Sequence, residues 1–272
     1  MQEFSSEEEE IAEEEPEILT SSSLPVIKSL KDWLEPVYVE DVEVPVTPDD
    51  TLFTVIRTQP ASHRSYSWTI HPSDISLFES IGKMVRDGIL AAFLGVIERK
   101  FYSRFVGFED PSEFSLCKAH FSSVKHIRAG VKTGKTSLQI LHNGSKHFVV
   151  GHYEPNEKVV KVYDSLGMGP TSLLRRQLQM LYGTPGEVLK VIFPSVMVQS
   201  AIGNNCAFYA ASYVVDICSN LNCERAVYDN EVSQRQWFYN ILKSDHAGDI
   251  LPFTRSDTHV VMTKEKVDLI RN

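Results

Sequence analysis

The chain has 272 residues, of which 42% are hydrophobic and 23% are charged, as is usual for one folded domain with tails. Its net charge at pH 7 is −9, but the first 17 residues alone contain nine Glu and no Lys or Arg. The remaining chain is therefore formally neutral, which argues against nucleic-acid binding as its main activity. No apolar run reaches the roughly 18 residues of a membrane span, so we also expect no membrane partner.

Four cysteines are few for this length, and the spacing of Cys117, Cys206, Cys218 and Cys223 matches no disulfide framework. This cysteine usage favours a reducing compartment. The N-terminus is acidic rather than basic and then apolar, so it does not resemble a signal peptide. We therefore expect the protein in the nucleus or the cytoplasm, and we expect a monomer.

The chain divides by composition into four segments. Residues 1–27 form an acidic tail that is predicted to be disordered, because it cannot bury enough apolar area. Residues 28–62 contain several prolines and are predicted to be a linker or an irregular extension. Residues 63–255 carry the regular patterns of a folded domain, and residues 256–272 are predicted to be a C-terminal tail.

The first regular patterns in the folded domain are helical. Residues 73–86 place apolar side chains at helical spacing, and Ser73 is predicted to be the N-cap. Residues 89–97 are apolar on every side, which predicts a buried helix. Three more helices are predicted further along the chain, at 171–183, 206–218 and 229–242.

From residue 137 the apolar period changes to two, which predicts strands. Asn143-Gly144 predicts a tight hairpin after a strand at 137–141, because both residues tolerate positive φ. The next two strands are predicted at 147–153 and 158–164, with a polar turn at 154–157 between them. Short strands at 188–193 and 196–198 complete a small sheet, and the surrounding helices predict an α+β fold.

The predicted hairpin brings a histidine and an aspartate together. With a four-residue loop at 154–157, Tyr153 lies opposite Lys158 and His147 lies opposite Asp164. Facing side chains of an antiparallel pair have Cβ atoms about 5 Å apart. A carboxylate at that distance can orient an imidazole and stabilise the imidazolium, so the register predicts a catalytic His147–Asp164 pair.

Cys206 is the predicted nucleophile, because it begins a helix after a loop rich in Gly and Asn. A helix N-terminus stabilises a thiolate through its dipole and its unpaired N–H groups. Asn204 or Asn205 is predicted to cap this helix. The backbone N–H of Cys206 and the side-chain amide of Gln199, seven residues earlier, are predicted to hold a developing oxyanion.

These residues resemble the motif of the ubiquitin-like-protein-specific (SUMO-deconjugating) cysteine proteases, which are related to the adenovirus proteinase. The family pattern is His-Trp, an Asp at a strand end, a Gln, and a loop that closes on Cys-Gly before a helix. The corresponding segments are KHFVVGHYEPNEKVVKVYDSLG and VQSAIGNNCAFYAASYV, with 17 residues from His147 to Asp164. The segments LQILHNGSKHFVV and YDNEVSQRQWFYNIL look closest to animal, transposon-associated members.

The resemblance implies a papain-like cysteine protease of the ubiquitin-like-protease type, with residues 63–255 as its catalytic domain and the nucleophile at the start of a central helix. It implies cleavage after the C-terminal glycine of a ubiquitin-like protein, with neither a cofactor nor a metal. Phe148, Gly203 and Asn205 are then the expected substrate-binding residues. Phe148 replaces the Trp that in the family roofs a tunnel for the Gly-Gly tail, and Ala207 replaces the Gly that follows the nucleophile.

Two other functions stay open at this stage. The chain can be a catalytically degenerate protein that binds a ubiquitin-like protein, or an interaction protein derived from a mobile element. A free Cys is usually a small buried hydrophobe, so Cys206 alone decides nothing. A pure binder has no need of all four residue types, so their joint retention favours the enzyme.

The remaining reactive side chains are given structural roles. His142 is expected to face solvent, and His152 is expected to point to the opposite face of the sheet from His147. Cys218 and Cys223 lack companions and are expected to be structural.

Two apparent ligand motifs are rejected. The stretch AGVKTGKT at 129–136 resembles a phosphate-binding loop, but Ala129 replaces the first Gly and a strand follows where a helix is required. Cys117, His120 and His126 suggest zinc, but no second ligand pair has the spacing of a zinc site.

Overall fold

The computed structural model describes residues 53–58, 65–117, 121–144, 146–200, 204–228, 230–244, 250–253 and 260–271. The predicted acidic tail at 1–27 and most of the predicted extension at 28–62 lie outside these ranges. The described helices are α1 (Pro72–Glu79), α2 (Asp87–Phe101), α3 (Pro111–Ser115), α4 (Ser122–Lys132), α5 (Ser172–Tyr182), α6 (Cys206–Cys218) and α7 (Glu231–Lys243). The described strands are β1 (Phe53–Thr58), β2 (Ser65–Ile70), β3 (Phe105–Gly107), β4 (Thr136–His142), β5 (Phe148–Glu154), β6 (Val159–Tyr163), β7 (Val188–Phe193) and β8 (Lys266–Arg271).

The strands form two sheets. β1 and β2 pair antiparallel, and the other six strands form one sheet in the order β3-β4-β5-β6-β7-β8. In this sheet β3 is parallel to β4 and β6 is parallel to β7, and the other adjacent strands pair antiparallel. A mixed sheet flanked by helices is an α+β architecture, so the predicted fold class is confirmed. Within the described ranges, no helix is both long enough and apolar enough to cross a membrane.

The six-stranded sheet separates two hydrophobic clusters. Along β5, Phe148 and Val150 pack in the cluster that contains the apolar residues of α2, α6 and α7. Val149 and Tyr153 belong to the other cluster, which contains those of α4 and α5. This alternation follows from the two-residue period of a strand. Helix α6 is buried along its whole length and packs on β5, and its first residue, Cys206, lies beside Lys146, two residues before that strand begins.

The β5–β6 hairpin has a different register from the predicted one. Glu154 pairs with Val159 and Tyr153 pairs with Val160, so Tyr153 does not lie opposite Lys158. The reason is local, because Lys158 adopts a left-handed φ of 54° and belongs to the turn rather than to the strand. The loop still has four residues but begins one residue later, so the pairing shifts by two. A shift by two keeps each side chain on its predicted face.

The first helix is shorter than the sequence predicted. The helix observed in this part of the chain is α1, Pro72–Glu79. Its N-cap is His71 rather than Ser73, and Pro72 lies in its first turn. The backbone N–H of His71 donates to Asp74, which also pairs with the guanidinium of Arg86. Residues 80–86 are irregular and pass through Gly82 at a φ of 94°.

Two predictions for strands in the C-terminal part of the chain are wrong. The predicted tail at 256–272 contains β8, which pairs antiparallel with β7 at the edge of the sheet. The predicted strand at 196–198 is reduced to a single bridge between Met197 and Met262. Polar and apolar residues alternate imperfectly along β8, so a sequence pattern alone does not distinguish this strand from a tail.

Candidate active site

His147 and Asp164 form a buried ion pair at one end of the β5–β6 hairpin. The Nε2 atom of His147 lies 2.7 Å from Oδ1 of Asp164, and each side chain is only 2% exposed. His147 comes just before β5 and Asp164 just after β6, so neither belongs to the ladder. In the observed register the two are diagonal neighbours on one face rather than directly opposite, and that spacing lies within reach of a histidine side chain.

Backbone donors hold the Asp164 carboxylate. Its Oδ1 accepts N–H groups from Leu166 at 3.0 Å and Gly167 at 3.1 Å, and its Oδ2 accepts the N–H of Gly169 at 2.9 Å. Both glycines have positive φ, 62° and 80°, which lets the chain curl round the carboxylate. Burial tends to raise the pKa of Asp164, but His147 and these N–H groups outweigh it and hold the pKa below its usual value.

The ring of His147 is held as a cation. Burial tends to lower its pKa, but the hydrogen bond and charge of Asp164, together with Cys206, raise the pKa to about 9. The main chain of His147 is also fixed, because the His147 carbonyl accepts the N–H of Asn143 at 2.8 Å across the turn between β4 and β5. Its second nitrogen, Nδ1, is buried and has no hydrogen-bond partner among the described residues. That nitrogen is therefore available to a nucleophile.

Cys206 is the first residue of α6 and is 5% exposed. Its Sγ lies 3.9 Å from the carbonyl oxygen of Lys146, the residue that precedes His147. Its interaction with the His147 ring is one cause of the raised histidine pKa. The fold thus brings together His147, Asp164 and Cys206, which the sequence singled out from distant segments. Cys206 thus lies at the N-terminus of α6, where the helix dipole favours a negative charge.

Gln199 is also buried, and Ser165 orients it. The hydroxyl of Ser165 donates to Oε1 of Gln199 at 2.6 Å, and the backbone N–H of Gln199 donates to the Ser165 carbonyl at 3.0 Å. Because Oε1 is engaged, the Nε2 amide is the end of Gln199 that can donate to an oxyanion. Ser165 is not among the residues predicted from the sequence, although its place directly after Asp164 is a usable signal.

The structure describes two of the three predicted substrate-binding residues. Phe148 is 2% exposed and packs edge-on against the His142 ring, with a centroid distance of 4.8 Å. Gly203 lies outside the described residues. Asn205 is fully buried, and its Oδ1 accepts a hydrogen bond from Arg235 at 2.8 Å. Direct contact of Phe148 or Asn205 with a substrate stays a prediction.

The predicted capping of α6 by an asparagine side chain is wrong. Asn205 occupies the N-cap position, but its side chain makes no capping hydrogen bond because it is turned towards Arg235. The Asn204 side chain instead donates to the Gly82 carbonyl at 2.7 Å. Asn204 itself has a left-handed φ of 48°, a conformation that asparagine tolerates better than most residues.

The other histidines do not join this pair. His142 is half-buried rather than solvent-facing, and burial lowers its pKa, with Asp87 acting in the opposite direction. His152 lies at the far end of β5, where its Nε2 is 2.8 Å from Oε1 of Glu154. Burial lowers the pKa of His152 as well.

The two rejected motifs can also be placed. The stretch at 129–136 runs from the end of α4 into β4, so a strand follows its Gly-Lys-Thr as predicted. His120 of the considered zinc set lies outside the described residues. In the described part of the chain, no three His, Cys, Asp or Glu side chains are grouped so as to hold a metal ion.

No family model and no curated protein matches this chain. Among solved structures it is similar to the SUMO protease Ulp1 with the catalytic cysteine oxidised to a sulfenic acid, at 18% identity over 64% of this chain and 84% of that chain, with a TM-score of 0.48. It is similar to the C-terminal Ulp1 protease domain in complex with Smt3, the yeast ortholog of SUMO, at 18% identity over 64% and 83%, with a TM-score of 0.47. It is also similar to the Chaetomium thermophilum Ulp1-like SUMO protease catalytic domain, at 11% identity over 70% and 82%, with a TM-score of 0.47.

Proposed function

We propose that this chain is a cysteine protease in which Cys206 is the nucleophile, His147 the general base and acid, Asp164 the group that orients His147, and Gln199 an oxyanion donor. The observation that carries the proposal is the buried His147–Asp164 bond of 2.7 Å beside a thiol at the first position of α6. In this arrangement one ring nitrogen is engaged by the carboxylate, and the other is left for the thiol.

The first chemical step forms a thioester. The Cys206 proton resides on Nδ1 of His147, and the thiolate attacks the carbonyl carbon of the scissile bond. The backbone N–H of Cys206 and Nε2 of Gln199 donate to the oxyanion that develops. The imidazolium then gives its proton to the departing amine, so the C–N bond breaks and the amine leaves uncharged.

The second step releases the acyl group. Water enters the place of the amine, and His147 takes a proton from it as it attacks the thioester carbonyl. Collapse of the second tetrahedral intermediate breaks the C–S bond, frees the new carboxylic acid and restores the thiolate–imidazolium pair. Asp164 stays ionised throughout and keeps the ring in place, which is the role of the third member of such a triad.

We further propose that the scissile bond follows the C-terminal glycine of a ubiquitin-like protein, as a peptide or an isopeptide bond. The motif from His147 to Cys206 resembles the SUMO-deconjugating proteases and, beyond them, the adenovirus proteinase and transposon-associated members. Replacement of the family's Trp and Gly by Phe148 and Ala207 implies a modified channel rather than a different reaction. We propose that the catalytic domain extends beyond residues 63–255, because it includes β1 and β8, and that the protein acts in the nucleus or the cytoplasm as a monomer.

The test uses ubiquitin-family proteins, SUMO among them, that carry a thiol-reactive group at the C-terminus. We expect wild-type protein to form a covalent adduct with at least one of them, and Cys206→Ser to form none. Cys117→Ser is the matched control, because Cys117 is the more exposed thiol and is remote in sequence from the triad. It is expected to react like wild type.

Two results would count against the proposal. An adduct retained by Cys206→Ser would place the reactive thiol elsewhere. Folded wild-type protein that binds a probe tightly without forming any adduct would instead favour the degenerate binding protein.

A further inference from the structure

Arg235, on α7, is a fully buried arginine, with 0% of its surface exposed. Burying a guanidinium costs several kcal/mol unless its donors are satisfied, so such a residue has a specific set of partners. Here the partners connect three parts of the chain. Arg235 Nε donates to Asn205 Oδ1 at 2.8 Å, and Nη2 also contacts that oxygen.

The remaining donors reach the N-terminal part of the domain. Nη1 of Arg235 donates to the Leu77 carbonyl at 2.5 Å and to the Lys83 carbonyl at 3.1 Å, and Nη2 also reaches the Lys83 carbonyl at 3.1 Å. Leu77 belongs to α1, and Lys83 lies in the irregular segment that follows it. The start of α6 is therefore tied to α1 and α7 through one side chain.

The guanidinium also lies close to the first turn of α6. Its Cζ atom is 4.4 Å from the centroid of the Phe208 ring, two residues after Cys206, and its main acceptor is Asn205, one residue before. A cation in this position acts on the thiolate through the low-dielectric interior, where a unit charge is screened far less than in water. Burial lowers the pKa of Arg235 to about 10, with Glu231 and Cys206 acting in the opposite direction.

We propose that Arg235 is a positioning residue for Cys206: it fixes the start of α6 through Asn205, and its positive charge stabilises the thiolate. This inference rests on the proposed role of Cys206 as the nucleophile. Among the described residues, the charged groups that interact with this thiol are then His147, with Asp164 behind it, on the strand side, and Arg235 on the α7 side, where Glu231 in turn acts on Arg235. The thiolate has a second cation besides the histidine.

The test follows alkylation of Cys206 by iodoacetamide as a function of pH, with the modified site identified by peptide mass mapping. Arg235→Met removes the charge and keeps an apolar side chain of similar length. We expect its alkylation profile to move to higher pH, with a rate at pH 7 lower by on the order of tenfold. Arg235→Lys keeps a cation and is expected to restore the midpoint of the profile towards wild type.

A merely structural arginine would give a different result. Both variants would then unfold at lower temperature but show the wild-type alkylation profile in the folded protein, which would overturn the proposal. If Arg235→Met does not fold, Asn205→Ala keeps the cation and removes its link to the nucleophile. We expect a profile displaced in the same direction, because the guanidinium is no longer held beside the first turn of α6, and a wild-type profile there would overturn the positioning role of Arg235.

This readout is independent of the substrate. Iodoacetamide needs neither a ubiquitin-like protein nor an oxyanion site, so the profile reports on the surroundings of the thiol and not on substrate binding, and the comparison with wild type isolates the effect of the arginine. If the chain forms no adduct with any ubiquitin-family probe, the proposed function fails while the Arg235 result stands. If adducts form but the alkylation profiles of the variants coincide with that of the wild type, the proposed function stands and the role of Arg235 fails.

Discussion

The hydroxyl of Ser165 fixes which end of the Gln199 amide is presented to a substrate. Its 2.6 Å hydrogen bond engages Oε1, and the main-chain bond in the reverse direction keeps the two residues together. In the proposed role of oxyanion donor, an amide held in this way needs no rearrangement when charge develops on a substrate, and such preorganised donors contribute strongly to catalysis. The segment that carries the Asp164 carboxylate therefore also orients the proposed oxyanion donor.

We expect Ser165→Ala to lower the cleavage rate, because the Gln199 amide loses its fixed orientation. Gln199→Ala should cost on the order of 10²-fold, as loss of one oxyanion donor does, and Ser165→Ala less than that. The double variant should be no slower than Gln199→Ala alone, since the two residues act as one unit. The measurement is kcat/KM for the substrate found with the probe panel.

The control for this pair is alkylation of Cys206 by iodoacetamide, which forms no oxyanion. It should proceed at the wild-type rate in all three variants. Additive effects of the two substitutions on kcat/KM would show that Ser165 acts by a route other than Gln199.

At residue scale, the members of the proposed triad can be selected from the sequence. His147, Asp164 and Cys206 were singled out from strand alternation, a hairpin signal and a helix start, and the fold brings these side chains together. The partners of these residues were not readable. Arg235 reaches Asn205 across 30 residues and Leu77 across 158, and no local pattern encodes contacts of that kind.

At the scale of elements, β8 shows why a C-terminal segment can be mistaken for a tail. Only Ile270 of this strand is fully buried, at 6% exposure, whereas its neighbour Leu269 is 62% exposed. An edge strand with one buried position gives a weak alternation signal. Its place in the sheet depends on pairing with β7, far away in the sequence. By contrast α6, which is buried throughout and mostly apolar, has the predicted bounds.

Two adjacent residues of β8 provide a matched test. Ile270→Ala should lower the free energy of unfolding by about 2–4 kcal/mol, because it removes buried methyl groups from the cluster packed under α5. Leu269→Ala, on the opposite face of the same strand, should change it by less than about 0.5 kcal/mol. Urea unfolding followed by circular dichroism makes the comparison. Equal effects would mean that β8 contributes little to the folded domain.

At the scale of the whole molecule, the His147–Asp164 pair connects folding to pH. The pKa of His147 is raised from 6.5 to about 9 in the folded protein, so the folded state binds a proton that the unfolded state releases between these values. The stability from this group is fully present below pH 6.5 and is lost as the pH rises through about 9. A free thiol titrates in the same range, so the test is cleanest in the Cys206→Ser background.

In Cys206→Ser, we expect the free energy of unfolding to fall by on the order of 2 kcal/mol between pH 6 and pH 9.5. In Cys206→Ser/Asp164→Asn the histidine loses its anionic partner, and this fall should largely disappear. Chemical unfolding at matched ionic strength gives both values. A similar fall in the two proteins would show that other groups cause the pH dependence.

The register of the β5–β6 hairpin limits how the length of its turn can change during evolution. A displacement by two leaves the histidine and the aspartate on a common face, whereas a displacement by one would send one of them to the opposite side of the sheet. The turn at 155–158 can therefore be lengthened or shortened only by an even number of residues if the two side chains are to stay on the same face of the sheet. Inheritance of the proposed catalytic pair is constrained by parity more strongly than by the identity of the turn residues.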